Sequence, residues 1–417
     1  MIISRGKLAL SVLAVVLTTA LLTYAVTVFF YVQQLDARLG AAGELAEEPG
    51  FRRLLDIIGY VRRYYVEEVP LEQLLEGAAD GALQSLDDPY TVYYDAEAYK
   101  DFEINLTGEY EGIGVVVTEV EEYVVVQTPF PGSPGATTYP ENHDGTSPPG
   151  LRAGDRIIEV DGERVVGLPV DRVAAMIRGP RGSEVRLVVE RPVPDAEPVT
   201  LYFTLRREHI EIPTVQQAEL VAPGIGYLWL TQFTPETPEQ VRAALSRLRD
   251  QGAAALILDL RNNPGGELSA SVRVASQFVP AGPVVHVERR GAERQTYTAG
   301  GDRVDWPLVV LVNGGSASAS EIVAGAIQDY ETGLLVGERT FGKGSVQTVY
   351  TLDDDRNGTA AIKITTARYL TPRERSLDAV GLTPDVEVPG TPEQQGDPAR
   401  DPQLRRAIQL LEERLGD

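Results

Sequence analysis

The sequence predicts an α/β fold: a mixed, partly parallel sheet with flanking helices, carrying an inserted β-rich domain and preceded by an N-terminal helical region and one transmembrane helix. Three observations lead there. From residue 206 onward, apolar runs of strand length alternate with helical spacing, at residues 226–231, 237–249, 254–260 and 307–312. Strands that are apolar on both faces and alternate with helices build a parallel sheet. Between about residues 104 and 205, short strands surround a single short helix, the pattern of a small, partly open barrel. Near the N-terminus, residues 8–32 hold no charge, a stretch long enough to span a bilayer.

Length and composition narrow the possibilities. A chain of 417 residues accommodates two or three domains. The formal charge of −23, from 61 acidic and 38 basic residues, argues against nucleic-acid binding, which needs a basic patch. The absence of cysteine excludes disulfides, thiolate metal sites and cysteine catalysis.

The apolar span is preceded by Arg5 and Lys7 and followed by Asp36, which places the N-terminus inside and the bulk outside. A cleavable signal peptide has a shorter apolar core and a small-x-small exit. Here the exit is Gln33-Gln34-Leu35-Asp36, so a retained anchor is expected, with cleavage near Ala41 and Ala42 left open. Residues 51–100 read as helical. Phe51, Leu54, Leu55, Ile58 and Val61 form one stripe, and Leu71, Leu74, Leu75 and Ala78 another. In the β-rich region, residues 115–120 and 123–128 make a hairpin and 156–160 a further strand. A helix spans 169–177, and a last hairpin joins 184–190 to 199–205. Residues 136–149, ATTYPENHDGTSPP, interrupt this region as a flexible insertion that could alter access to its binding groove. In the α/β core, Thr237 is expected as N-cap with Pro238 at the first helical position. After the strand at 254–260 comes Arg261-Asn262-Asn263-Pro264-Gly265-Gly266, where glycines let backbone approach a ligand closely. A terminal helix is expected at 401–415.

The stretch with most chemical content follows the strand at 307–312. Asn313, Gly314 and Gly315 break that strand, five small residues follow (Ser316 to Ser320), and helical spacing begins at Glu321. Serine at a strand-to-helix turn can be a nucleophile beside helix N–H groups that hold an oxyanion. A serine-rich N-cap gives the same pattern, and the sequence alone leaves Ser316, Ser318 and Ser320 equivalent. A serine nucleophile needs a base. The histidines His143, His209 and His286 lie in no recognisable triad motif. Only four of the 38 basic residues are lysines, and one, Lys343, sits inside FGKGSVQ. Lysine can act as a base when desolvation disfavours its charged form, whereas arginine keeps its proton. Gly337 to Lys343 also has the spacing of a phosphate-binding loop. However, Gly344 replaces the required Ser or Thr, and a strand, not a helix, follows.

The words LDLRNNPGG, NGGSASASEIVAGAIQD, VGERTFGKGSVQT and TARYLTP, in this order along the chain, resemble the carboxyl-terminal processing (tail-specific) proteases, membrane-associated serine peptidases with a PDZ domain. The resemblance extends over most of the chain after the apolar span. It implies Ser318 as nucleophile, Lys343 as general base and Gln347 as the residue orienting the lysine. It also implies an oxyanion site from Gly265 or Gly266 with Ala319. The β-rich region resembles a PDZ domain, most legibly in LRAGDRIIEVDG. By that resemblance the N–H groups of Gly112, Ile113, Gly114 and Val115 receive a peptide's terminal carboxylate while its backbone adds a strand. Arg178, ending the PDZ helix, is a candidate for coupling tail binding to catalysis, against the plainer role of a cation facing the helix dipole.

The expected organisation is a cytoplasmic N-terminus (1–7), an anchor (8–32), a linker (33–50), a helical region (51–100), a PDZ domain (104–207), a peptidase core (208–390) and a C-terminal linker and helix (391–417). The implied function is a membrane-anchored endopeptidase that cleaves C-terminal tails of envelope or exported proteins. It acts outside the cytoplasm, without metal or other cofactor, and with a homodimer implied by the family. The alternative is a catalytically inactive anchored PDZ scaffold that binds tails. A fully extended 343–347 segment would separate Lys343 and Gln347 by about 13 Å, so the dyad reading requires a bend near Gly342 and Gly344.

Overall fold

The computed structural model describes residues 43, 46–142, 148–194, 196–301, 303–354, 358–390, 395–396 and 399–416. The chain forms two units, one ending at Pro89 and the other beginning at Tyr90. The expected anchor at residues 8–32 lies outside the described residues. Among the described residues, no helix is long and apolar enough to cross a membrane.

The first unit contains α1 (Pro49–Tyr64) and α2 (Leu71–Gln84). Both follow the apolar stripes, but most of the stripe on α1, including Phe51, Leu54 and Leu55, is exposed, and only Ile58 is buried.

The second unit opens with β1 (Val92–Tyr94), where aromatic residues favour a strand within a region expected to be helical. Asp95 then caps α3 (Ala96–Thr107), accepting from the N–H groups of Glu97 at 3.0 Å and Ala98 at 2.8 Å. The helix ends at Gly108, whose φ of 72° closes the last turn.

The PDZ region follows: β2 (Glu109–Gly112), β3 (Val115–Val120), β4 (Tyr123–Pro129), α4 (Pro134–Thr137), β5 (Arg156–Val160), β6 (Glu163–Arg164), α5 (Val170–Ile177), β7 (Glu184–Val193), β8 (Ala196–Arg206) and β9 (Glu208–Glu211). Its sheet runs β3-β4-β5-β7-β8, and a separate β2–β9 ribbon joins the ends of the region. Alternate strand residues such as Val124, Val126, Leu187, Val189 and Phe203 fill the core. The insertion does not reach the β3 edge in its described part. Glu141 donates its N–H to Tyr202 C=O at 2.7 Å, and Asn142 Nδ2 donates to Thr200 C=O at 2.9 Å, both on β8 at the opposite edge. His143 lies outside the described residues.

The core continues through β10 (Val215–Ala222), β11 (Ile225–Leu230), α6 (Thr237–Asp250), β12 (Ala255–Asp259), α7 (Leu268–Ala275), β13 (Gly282–Arg289), β14 (Gln295–Ala299) and β15 (Leu308–Val312). It ends with α8 (Ala319–Asp329), β16 (Leu334–Gly337), β17 (Ser345–Asp354), β18 (Gly358–Leu370), β19 (Val386–Glu387) and α9 (Pro402–Gly416). The main sheet runs β10-β11-β12-β15-β16-β19, parallel from β11 onward, with β10 antiparallel at its edge. Both of its faces are covered. Leu256 and Leu258 pack with residues of α6, α7 and α8, while the intervening Ile257 packs with Leu404, Ala407 and Leu411 of α9. This explains the unbroken apolar runs. Thr237 is the first residue of α6, not its cap, because its hydroxyl turns back to accept the Thr234 N–H at 2.8 Å. A second sheet is built on β18, which pairs with β1, β13 and β17.

A buried ionic cluster ties α9 to the end of β12. Arg261 Nη2 lies 2.6 Å from Asp259 and 2.7 Å from Asp401, all three side chains being almost inaccessible. Asp401 also accepts the N–H groups of Gln403 and Leu404 at the start of α9. Burial pushes the Asp401 carboxyl up, but the Arg261 guanidinium and the N–H groups of Leu404 and Gly396 outweigh burial and hold it below its ordinary value. Because the folded carboxyl titrates below the unfolded one, its contribution is complete above the ordinary aspartate value of about 3.9 and is lost as pH falls through the folded value. Asp401→Asn is expected to cost about 3 kcal/mol at pH 7, and the gap to the parent should narrow below pH 4. Urea unfolding at both pH values measures this; an equal gap would remove Asp401 from the acid response.

Candidate active site

β15 ends at Val312, and the chain turns through Asn313-Gly314-Gly315 into α8. Asn313 fixes the turn, since its side-chain oxygen accepts the N–H of Gly315 at 3.0 Å and of Asn262 at 2.9 Å. The three serines then part ways. Ser316 Oγ donates to Leu260 C=O at 2.8 Å, and Ser320 Oγ donates to Asn263 C=O at 2.9 Å; both are fully buried. Ser318 lines a cleft of about 570 Å³. Its backbone adopts φ 54° and ψ −113°, a conformation costly for a residue with a Cβ and typical of functional turns.

Glu321 holds this turn. Its carboxylate, fully buried, accepts four hydrogen bonds: from Ser318 N–H at 2.9 Å, Lys343 N–H at 2.9 Å, Gly342 N–H at 2.8 Å and Thr340 Oγ1 at 2.5 Å. Burial raises the Glu321 carboxyl above its ordinary value, and the four donors pull in the opposite direction. Tyr369, on β18, adds a second tie, its hydroxyl lying against the carbonyl oxygens of Lys343 and Ser318. Burial pushes its phenol well up, so it remains a neutral hydrogen-bond group.

Lys343 therefore enters the same cleft as Ser318 from a loop pinned to the serine's own helix. Its ammonium lies 4.7 Å from the Tyr90 ring centroid. The backbone around it is irregular: Gly342 has φ 89°, regular strand begins only at Ser345, and a bulge falls between Val346 and Gln347. Gln347 lines the cleft and donates from Nε2 to Ser345 Oγ at 2.9 Å and Thr365 Oγ1 at 3.1 Å. His209 and His286 are not among the residues lining the cleft. His209 approaches Glu109 at 3.7 Å, and His286 Nδ1 lies 2.8 Å from Thr296 Oγ1.

The two glycines after β12 differ. The Gly265 N–H donates to Asn263 Oδ1 at 2.9 Å. Gly266 lines the cleft beside Ala319, the first residue of α8. Both glycines are sterically required. A Cβ on Gly265 would lie 2.9 Å from Ala319 N, and one on Gly266 would lie 2.0 Å from Phe233 O.

Two contributors were missed by sequence reasoning. Glu321 was legible as the fourth residue of Ser318-x-x-Glu321, a capping-box pattern. Tyr369 lies inside TARYLTP, but nothing in its local sequence shows that the ring reaches back to Ser318.

Known proteins resemble the chain over most of its length. The peptidase family S41 model matches residues 224–388, a PDZ-domain model matches 150–191, and the activating protease CtpB N-terminal domain model matches 16–98. Over 384 residues the chain is 32% identical to the carboxy-terminal processing protease CtpA of Bacillus subtilis, covering 92% of this chain and 78% of that one. Over 317 residues it is 37% identical to the carboxyl-terminal-processing protease of Synechocystis sp., covering 75% and 70%. A putative S41 protease from Bacteroides fragilis shares the fold at 17% identity and a TM-score of 0.50, over 85% of this chain and 96% of that one. The chain belongs to the carboxyl-terminal processing proteases of peptidase family S41 and is a serine-type peptidase.

Glu321→Gln keeps the side-chain shape but turns an amide NH2 toward donors. Cleavage of an unfolded protein is expected to fall about 100-fold, the scale of a 1 Å displacement at a reacting centre, with the circular dichroism spectrum unchanged. Undiminished turnover would show that other contacts hold the Ser318 turn.

Proposed function

We propose that this protein is a membrane-anchored endopeptidase that binds a protein's C-terminal tail in its PDZ domain and cleaves near that tail by a Ser318/Lys343 dyad. One observation carries the reading: the Glu321 carboxylate accepts the backbone N–H of both Ser318 and Lys343, so a single buried group sets the two side chains against one cleft. Ser318 Oγ attacks the peptide carbonyl, and neutral Lys343 takes its proton and returns it to the leaving amine. The N–H groups of Gly266 and Ala319 receive the developing oxyanion. Gln347, anchored through Nε2, has its carbonyl oxygen left to orient the lysine ammonium.

The uncharged residues 8–32 support an anchor that leaves the catalytic part outside the cytoplasm, in the periplasm or cell envelope. The exposed apolar stripe on α1 supports pairing with a second copy. Membrane fractionation and sedimentation of the full chain test these two points.

Arg178 supports a link between the tail site and the cleft. It forms the C-cap of α5, and its guanidinium lies 2.6 Å from Asp101 of α3. Phe102 and Leu106 on the same helix line the cleft. A tail that binds better to one position of the PDZ domain shifts the equilibrium through this contact.

Lys343→Arg keeps the charge but supplies no usable base. Cleavage is expected to drop by at least about 1,000-fold, on the scale of losing general-base catalysis, with stability unchanged. Retained turnover would sink the dyad. Arg178→Ala is expected to leave tail-peptide affinity within about twofold while reducing the cleavage rate several-fold, as the modest value of a half-exposed ion pair implies. Matching values in both assays would make Arg178 a helix cap only.

A further inference from the structure

The lining of the cleft is opposite in charge to the chain as a whole. The chain carries a formal charge of −23, yet the charged side chains along the cleft are Arg289, Lys343 and Lys363 against one carboxylate, Glu267. Glu321 and Asp378 stand close to Lys343, but their oxygens accept backbone N–H groups, from Gly342 at 2.8 Å and Gly344 at 3.3 Å, and neither residue lines the cleft. With Lys343 neutral as the base, two cations still face one anion. The Glu267 carboxylate already accepts the Ser269 hydroxyl.

Lys363 is the better ordered of the two remaining cations. On β18 it stands opposite Val349 of β17, while Thr365, two positions on, stands opposite Gln347 and accepts its Nε2–H at 3.1 Å. Residues two apart in a strand share a face, so Lys363 and the Gln347 anchor belong to one wall. The Lys363 ammonium lies 5.5 Å from the ring centroid of Tyr94 and 5.4 Å from that of Phe102, and the two rings stack 4.8 Å apart. Rings carry no net charge, so they order an ammonium without neutralising it. Among the described residues, no carboxylate pairs with Lys363. Arg289, by contrast, is exposed at the end of β13, and its guanidinium donates to Gln295 Oε1 at 2.8 Å. A half-buried ammonium, ordered by two rings and left without a counter-ion, is a preformed site for an anion.

We propose that Lys363 reads a carboxylate on the substrate, so that the peptidase favours chains with an acidic group a few residues from the bond it cuts. This rests on the reading of the Ser318 cleft as the place of cleavage and deepens it. Lys363 stands one two-residue step, about 7 Å, beyond the Gln347–Thr365 pair, and an extended peptide advances about 3.4 Å per residue. The group it meets is therefore removed from the reacting carbonyl. An Asp or Glu side chain and a terminal carboxylate offer the same chemistry. Pairing costs less here than at an exposed lysine, because the rings have already restricted the side chain. A charge-assisted bond inside a cleft also exceeds the value of a surface ion pair. The acidic chain as a whole repels such substrates, and the cations of the cleft supply the local attraction that overcomes this.

The experiment measures cleavage of fluorescence-quenched peptides by the full chain. One set ends in an amide and carries a single Glu stepped through successive positions, with Gln at the same position as control. A second set has no Glu and is prepared as free acid and as amide. In the parent, one Glu position within about four residues of the cut bond is expected to raise kcat/KM about tenfold over Gln, mostly through KM. In Lys363→Met and in Lys363→Gln the Glu-to-Gln ratio at that position is expected to fall to about one, whatever the absolute rate, and Lys363→Arg is expected to retain a preference. An acid-to-amide preference removed by Lys363→Met, with no Glu position favoured, would assign the carboxylate to the substrate's terminus. No favoured Glu and no favoured terminal acid in the parent would overturn the proposal. A preference that survives Lys363→Met while all rates fall would also overturn it and leave Lys363 a staple between β18 and Phe102. Cleavage that persists in Ser318→Ala would instead overturn the cleft reading on which the proposal rests.

Discussion

The buried carboxylate of Glu321 is the constraint on which the arrangement of the Ser318 cleft depends. A carboxylate withdrawn from water must be hydrogen-bonded or it neutralises. This one is satisfied only when residues 318, 340, 342 and 343 all present donors to it. The requirement fixes two segments that nothing in local sequence would bring together: the turn into α8 and the loop before β17. It also offsets the strain at Ser318, whose backbone conformation costs on the order of 1–3 kcal/mol.

The parallel sheet supplies the crevice in which this clasp operates. β12 and β15 are neighbours in register, Asp259 opposite Leu311, so the turns that follow them emerge side by side. Ligands of open α/β sheets bind beyond the carboxyl ends of strands, and here the Gly265-Gly266 turn and the Ser318 turn face each other there. The close approach of Gly265 to the Ser318–Ala319 peptide explains why both chain segments are rich in small residues. The Arg261 cluster anchors β12 to α9 with buried ion pairs.

The contact between the PDZ region and the cleft wall is of a different kind. Arg178 and Asp101 keep 36% and 54% of their side-chain surface exposed, so their pairing is worth little and is easily exchanged.

Periodicity and turn chemistry determined much by themselves. The apolar runs at β12 and β15 could be buried on both faces only in a parallel sheet, and the small residues after Val312 could only mark a tight strand-to-helix turn. The spacing of family words singled out Ser318 and Lys343, and the rarity of lysine drew attention to position 343. Tertiary structure alone decided the rest. Ser316 and Ser320 look like Ser318 in sequence, but they spend their hydroxyls on carbonyls of the residue 260–263 turn, more than fifty positions away. Gly265 and Gly266 are adjacent and identical, yet an Asn263 side chain consumes the N–H of the first. Tyr369 carries no local signal, because it acts by reaching another segment. Hydrophobic pattern is a property of neighbouring residues and can be read along the chain. Which donor meets which acceptor is set by distances across it, and those exist only once the chain has folded.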